Sequence, residues 1–153
     1  MARYRASIET PWTREEAFAY LSDFSTSAEW DPGVVEAARV GAGAVAEGTK
    51  FRLVAEFLGR RTLLMYTVVE YEPPRAVTFV GENAIVVSHD RITFDALAIG
   101  TRISYDADLR LKGLVRLADP LLGLAFNRVG DRALAGLSKV LARPAHATID
   151  AAA

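Results

Sequence analysis

Alternating apolar and polar residues predict strands over most of the first two thirds of the chain. Residues 3–9 place Tyr4, Ala6 and Ile8 on one face and polar side chains on the other, which is typical of a half-buried strand. From residue 34 onward, similar segments are separated by turn-forming glycine and proline residues, which favours an antiparallel meander. Six further strands are predicted over residues 34–40, 49–59, 61–72, 76–82, 85–96 and 101–111. The 61–72 segment is apolar on both faces, so its inward-facing side stays open.

Two short helices are predicted between the first and second strands. Thr13 and Glu16 have the spacing of a capping box, in which each side chain accepts a hydrogen bond from the backbone of the other residue. The helix that they start is expected to end near Asp23, and a second short helix is expected around residues 26–30. The sequence Asp-Pro-Gly that follows is a strong stop signal.

One long amphipathic helix is predicted near the end of the chain. It starts at Asp119-Pro120, where an aspartate can cap the helix and a proline lacks only an unneeded N–H group. Apolar residues then recur with a period near 3.6 until Arg143-Pro144. The last residues have no such pattern, so one domain is expected over 1–143, followed by a disordered tail at 144–153.

These elements predict an α+β fold in which a seven-stranded antiparallel sheet has one buried face. Only the final helix is long enough to cover that face. A twisted and curved sheet cannot touch a straight helix along its whole length. The space between them is therefore either filled by side chains or left as a cavity. Phe24 and Trp30 lie in the polar stretch DFSTSAEWDPGV (23–34), and they belong either to the core or to the mouth of such a cavity.

Composition narrows the possible functions of the chain. It has 153 residues and a formal net charge of −1, from 18 basic and 19 acidic residues, so no broad positive field for nucleic acid is expected. There is no cysteine, and the spacing of His89 and His146 does not suggest a metal site. No apolar run is long enough for a membrane span or a signal peptide, so a cytoplasmic protein without a metal or cofactor is expected.

Three polar residues are candidates for chemistry. In the 85–96 strand Asp90 shares a face with Ile92 and Phe94, where burial of an unpaired carboxylate would raise its pKa and suit a general acid or base. Alternatively, Asp90 lies at the rim, solvated or paired with an arginine. A one-residue slip in register would turn His89 inward instead. Tyr105 faces inward on its strand, either as a core residue or as a group that orients a ligand carbonyl.

Four stretches carry a resemblance to a known superfamily. They are SIETPWTREEAFAYLSDFSTSAEWDPGV (7–34), EYEPPRAVTF (70–79), GTRISYDADLRLKG (100–113) and DPLLGLAFNRVGDRALAGL (119–137). Their order resembles the START / birch-pollen-allergen-like (SRPBCC) superfamily, and within it the polyketide cyclase/dehydratase and lipid-transport group. The resemblance implies a helix-grip fold, with a hydrophobic cavity between the sheet and the long helix. It also implies that the 23–34 segment lies beside one entrance to the cavity.

The resemblance and the apolar inner face predict a protein that binds an apolar or amphipathic small molecule, such as a lipid or polyketide. The residues expected to form the site are Trp30, Phe51, Leu53, Phe57, Met65, Phe79, Ile92, Phe94, Tyr105, Leu122, Phe126 and Val129. The alternative is a cofactor-independent cyclase or dehydratase in which Asp90, His89 or Tyr105 moves a proton. A third hypothesis, a protein-interaction module, would need an exposed apolar patch. A monomer and a homodimer are both compatible with the sequence.

Overall fold

The computed structural model of the chain describes residues 2–57 and 59–144. Its strands are β1 (Ala2–Thr10), β2 (Val34–Val40), β3 (Lys50–Phe57), β4 (Arg60–Glu72), β5 (Ala76–Glu82), β6 (Val86–Ala96) and β7 (Thr101–Leu111). Its helices are α1 (Arg14–Ser22), α2 (Ser27–Trp30) and α3 (Asp119–Leu141), with two 3₁₀ turns at Phe24–Thr26 and Gly113–Ala118. The predicted element order is confirmed, and strand ends agree within two residues. The second 3₁₀ turn was not predicted.

All seven strands form one antiparallel sheet in the order β1-β7-β6-β5-β4-β3-β2. The sheet is curved and open, and α3 lies against its inner face, so the predicted helix-grip fold is confirmed. The structure also settles the orientation of β4, because Leu64, Tyr66 and Val68 are buried and their neighbours are more exposed.

The predicted capping box at the start of α1 is confirmed. The Glu16 amide donates to the Thr13 hydroxyl at 3.2 Å, and the Thr13 amide donates to the Glu16 carboxylate at 2.9 Å. These bonds satisfy backbone donors that a helix start leaves free. Helix α1 then packs Phe18 against Phe94 of β6, with ring centroids 5.3 Å apart, and so closes one end of the sheet.

Helix α3 is anchored to the rest of the fold mainly through its C-terminal half. The Thr10 hydroxyl donates to the Leu141 carbonyl at 2.7 Å, and the Tyr4 hydroxyl donates to Asp131 at 2.9 Å. At Gly136 the helix passes so close to α2 that a Cβ atom would overlap the Trp30 carbonyl oxygen. The N-terminal half has no comparable anchor to the sheet among the described residues, and a cavity lies beneath it.

The prediction of a disordered tail over 144–153 falls, apart from Pro144, outside the described residues. Among the helices that the structure describes, none has both the length and the hydropathy of a membrane-spanning segment.

Candidate ligand-binding cavity

A cavity of about 620 Å³ separates the inner face of the sheet from the N-terminal half of α3. Its wall is mainly apolar, with large side chains from β3, β4, β7, α3 and the turn before α2. The principal ones are Phe24, Leu53, Phe57, Leu64, Leu109, Leu122, Phe126 and Val129. Exposed lining residues, among them Arg60, Ile85 and Val115, mark a rim that faces solvent.

Polar side chains converge on one part of the wall, which we call the polar corner: Asp31, Tyr66, Ser88, Asp90 and Tyr105. Ser88 and Asp90 lie two residues apart on β6, so both face inward. The Ser88 hydroxyl donates to Asp90 Oδ2 at 2.8 Å, and the Tyr105 hydroxyl, from the neighbouring strand β7, donates to Asp90 Oδ1 at 3.1 Å. Two hydroxyl donors therefore hold both carboxylate oxygens of Asp90.

Asp90 is buried, with 6% of its surface exposed. Burial raises its pKa from 3.8 to about 6, while the hydrogen bonds from Ser88 and Tyr105 oppose that rise. Among the described residues no lysine or arginine pairs with it. The interpretation of Asp90 as a solvated or arginine-paired rim residue therefore does not fit the structure. A carboxyl group with this pKa can both take and give a proton near neutral pH.

Tyr66 and Tyr105 flank Asp90 and stay protonated. Burial raises the pKa of both well above 10.0, and the charge of Asp90 raises it further. The Tyr66 ring lies flat against Gly81 of β5, where a Cβ atom would overlap the ring. The Tyr66 hydroxyl lies at the cavity wall within reach of Ser88 and Asp90, and its bond to Asp90 lowers the pKa of that carboxyl group.

Asp31 approaches the polar corner from the turn after α2. The Gly33 amide donates to its Oδ1 at 2.8 Å, which fixes the carboxylate within the turn. Burial raises the pKa of Asp31 to about 6, and the bond from Gly33 opposes this. A Cβ atom added at Gly33 would lie 3.9 Å from Val129 Cγ1, so the turn sits directly beneath α3.

An asparagine organises the rim beside β5 and β6. Asn83 donates through Nδ2 to the Thr62 hydroxyl at 2.9 Å, and its Oδ1 accepts from the amides of Ile85 and Val86, both at 2.9 Å. These bonds hold the β5–β6 turn next to β4, and they leave Ile85 exposed at the mouth.

Several residues predicted to contact a ligand lie on the cavity wall. They are Leu53, Phe57, Tyr105, Leu122, Phe126 and Val129, and the catalytic candidate Asp90 is there too. Their roles in binding or catalysis stay predictions.

Four other predicted residues fill the interior instead. Phe51, Phe79, Ile92 and Phe94 are fully buried and are not among the described residues that line the cavity. Phe24 stacks on Phe79 at 4.2 Å, and together they close the cavity on that side. Alternation along a strand gives the inward face, but it does not tell which inward residues meet another side chain and which meet open space.

Trp30, Met65 and His89 also lie away from the cavity wall. Trp30 is buried behind Tyr105, with ring centroids 6.3 Å apart, and is core rather than mouth. Met65 faces the outer side of β4, where it pairs with Arg52 and Glu82, because Tyr66 takes the inward position. His89 is exposed on the outer face, so the alternative register that would turn it inward is wrong.

Sequence reasoning missed three members of the polar corner. Ser88 was on the predicted inward face, and its position two residues before Asp90 was the available signal. Tyr66 could not be chosen over Met65 without the orientation of β4. Asp31 was interpreted only as part of a stop signal, and nothing local indicates that this turn faces a cavity.

The fold and this cavity define a helix-grip protein with an interior that is open to a small molecule. Residues 1–142 match the model of the family described as polyketide cyclase / dehydrase and lipid transport, and the chain belongs to that family. The predicted superfamily and group are thereby confirmed. The comparison with curated proteins found no match.

Solved structures share the fold at low sequence identity. A START superfamily protein from Mycobacterium smegmatis has a TM-score of 0.77 and 14% identity, covering 92% of this chain and 97% of that one. A protein from Thermus thermophilus has a TM-score of 0.75 and 17% identity, covering 90% and 94%. The Zhui aromatase/cyclase from Streptomyces sp. R1128 has a TM-score of 0.71 and 12% identity, covering 91% and 90%.

Proposed function

We propose that the chain binds an amphipathic small molecule in the cavity between the sheet and α3. The observation that carries this proposal is the contrast within the cavity wall, which is apolar beneath α3 and polar at Asp31, Tyr66, Ser88, Asp90 and Tyr105. An apolar body would lie against Leu122, Phe126 and Val129, and a polar head would meet the polar corner.

The size and chemistry of the cavity support this proposal. Its volume of about 620 Å³ falls within the usual range of small-molecule sites. Burial of apolar ligand surface stabilises a complex by about 25 cal/mol per Å², before the loss of ligand freedom is subtracted. Specificity would then depend on the few polar groups, because an apolar wall discriminates weakly between apolar molecules.

Titration with the neutral, environment-sensitive dye Nile red tests this function. We expect saturable binding with one site per chain and a blue-shifted emission. Ala55 lies on the cavity wall, so Ala55→Trp should fill the space and weaken binding about tenfold or more. Ala38→Trp is the matched control on the exposed side of β2. Equal binding by both variants, or no saturable binding by the parent chain, would refute the proposal.

Acid–base catalysis in the same cavity is the second candidate function. It is favoured by one observation: Asp90 is buried at the cavity, has a pKa raised to about 6, and is hydrogen-bonded by Tyr105. In a cyclisation the Asp90 carboxylate would remove a proton from a carbon beside a carbonyl. The resulting enolate carbon would bond to a second carbonyl carbon, and Asp90 would return its proton to the new alkoxide. The fold shared with an aromatase/cyclase is compatible with such a step.

Hydrogen–deuterium exchange at the acidic carbon of benzoylacetone tests the proton transfer without a known substrate. In D₂O the chain should accelerate exchange, followed by NMR, and Asp90→Asn should lower the rate at least about tenfold. Asp95→Asn, on the exposed outer side of the same strand, is the control. If the Asp90 variant matches the parent rate, Asp90 is not the base.

A further inference from the structure

The charged residues of the cavity are distributed unevenly. Of the described residues that line it, Glu56 and Arg60 are exposed at the rim, and Glu56 pairs with Arg61 at 3.5 Å. Asp31 and Asp90 lie further inside. Neither forms an ion pair with a described lysine or arginine, so the interior holds carboxyl groups but no cation among the described residues.

The two inner carboxyl groups line the same cavity. The charge of Asp31 raises the pKa of Asp90, and it also raises the pKa of Tyr66 and Tyr105. All four residues line the same cavity wall. Two like charges in a poorly solvated space disfavour each other unless a counter-charge joins them.

The other members of the polar corner carry neutral hydroxyl groups. Strand β4 contributes the Tyr66 hydroxyl, β6 the Ser88 hydroxyl and β7 the Tyr105 hydroxyl. Of the α3 side chains that the structure describes, those that line the cavity are Leu122, Phe126 and Val129. The hydroxyls of Ser88 and Tyr105 donate hydrogen bonds to Asp90. Asp31 accepts one hydrogen bond from a backbone amide through Oδ1, and its second oxygen has no described partner. Hydrogen bonds therefore compensate only part of the negative charge.

We infer that the cavity selects amphipathic molecules whose polar head carries a protonated amine, which Asp31 and Asp90 receive. This inference rests on the proposed ligand-binding function and names the class of its ligand. An ammonium group supplies the missing counter-charge and has three donors, enough for both carboxylates, including the second oxygen of Asp31. A carboxylate head would add a third negative charge to the same space, and a hydroxyl head would add no charge.

Amine binding should depend on pH. Asp31 and Asp90 each have a pKa raised to about 6, whereas an alkylamine, like a lysine side chain, stays protonated up to about pH 10. Amine binding should therefore strengthen as the pH rises from about 5 to about 8, because the receiving carboxyl groups lose their protons. Binding of a fatty acid should weaken over the same range.

Displacement of Nile red by three ligands with the same alkyl chain tests the inference. Dodecylamine, dodecanol and dodecanoic acid are compared below their aggregation concentrations at about pH 8. We expect dodecylamine to bind at least about tenfold more tightly than dodecanol, and dodecanoic acid to bind more weakly than dodecanol. The doubly substituted Asp31→Asn, Asp90→Asn chain should lose most of the amine preference and keep its affinity for dodecanol. Asp95→Asn should change neither.

The outcomes separate this inference from the proposed function. If dodecanol displaces the dye but dodecylamine binds no better, or if the amine affinity does not rise with pH in the unsubstituted chain, the charge selection is wrong while ligand binding stands. If none of the three ligands displaces the dye, both proposals fail. The pH profile of the parent chain keeps the test decisive even where the double variant folds poorly.

Discussion

The space between the sheet and the helices has two halves that are built from the same strands. One half is packed with aromatic side chains, and the other contains the cavity. In the packed half, the Phe18 ring packs against Phe94 and the Phe24 ring stacks on Phe79, whose side chain has no exposed surface. Beneath the N-terminal half of α3, the same inward rows continue with Ala55 and Ser88, and the space stays open. Large rings close one half, whereas small and polar side chains keep the other half open.

This contrast shows how the fold separates stability from binding. The packed half supplies dense apolar contacts, which are the main source of stability in a chain of this size. The open half contains buried carboxyl groups whose ionisation opposes folding. Substitutions in the two halves should therefore have different consequences, and this can be measured.

The largest effect is expected in the packed half. Phe79→Ala removes a fully buried ring that stacks on Phe24, and it should lower the free energy of unfolding by about 3 to 5 kcal/mol. Denaturant unfolding followed by circular dichroism measures the loss. A loss below about 1 kcal/mol would mean that this half is as loosely filled as the cavity.

Substitution of Asp90 should have a smaller effect and should increase the free energy of unfolding. Its folded pKa is about 6 instead of 3.8, so the folded protein holds this proton more tightly than the unfolded chain does. The stability from this group is present at low pH and is lost as the pH rises through about 6. Asp90→Asn should therefore raise the free energy of unfolding at about pH 8 by up to about 3 kcal/mol. It should also flatten the pH dependence between about 4 and 6, as seen in unfolding curves measured across that range.

The same substitution at Asp95, which is exposed on β6, serves as the control and should leave the pH profile unchanged. If Asp90→Asn destabilises the chain at high pH, the carboxylate is a stabilising group, and our description of its environment is wrong.

An intermediate effect is expected where the halves meet. Gly81 lies beneath the Tyr66 ring, and Gly81→Ala would place a methyl group where the ring now lies. We expect the ring to move into the cavity, at a cost of about 1 to 3 kcal/mol in the free energy of unfolding. Nile red binding should weaken at the same time. Loss of stability with unchanged dye binding would show that Tyr66 does not border the bound molecule.

The smallest effect on stability is expected in the open half. Phe126→Ala removes a half-buried ring that faces the cavity, and the loss in free energy of unfolding should stay below about 1.5 kcal/mol. The affinity for Nile red should nevertheless fall, because the ring forms part of the apolar wall. Comparing this variant with Phe79→Ala separates the two halves: one should lose stability, the other binding.

The sequence predicted the fold well because the signals for it are local or periodic. Alternation in β1 and in β5 to β7, the capping box at Thr13 and the 3.6-residue period of α3 each specify an element without reference to the others. The family resemblance then supplied the way in which the elements pack.

The cavity was harder to predict because its boundary depends on contacts between side chains from different helices and strands. Phe79 and Leu53 both face inward on their strands, but Phe79 is covered by the Phe24 ring, whereas Leu53 borders the cavity. Asp90 was found because a carboxylate among apolar neighbours on one strand face is unusual in the sequence itself. Asp31 was not found, since only the three-dimensional path of its turn brings it to Asp90.

We propose that an amphipathic ligand binds inside the cavity with its polar head group at the polar corner. Intermolecular nuclear Overhauser effects between bound dodecanol and the protein test it most directly. We expect contacts from the alkyl chain to the ring protons of Phe126, and from the methylene next to the hydroxyl to the ring protons of Tyr66 or Tyr105. Contacts confined to the exposed Leu114, Leu117 and Leu124 would instead show that the ligand rests on the surface, and would contradict the claim.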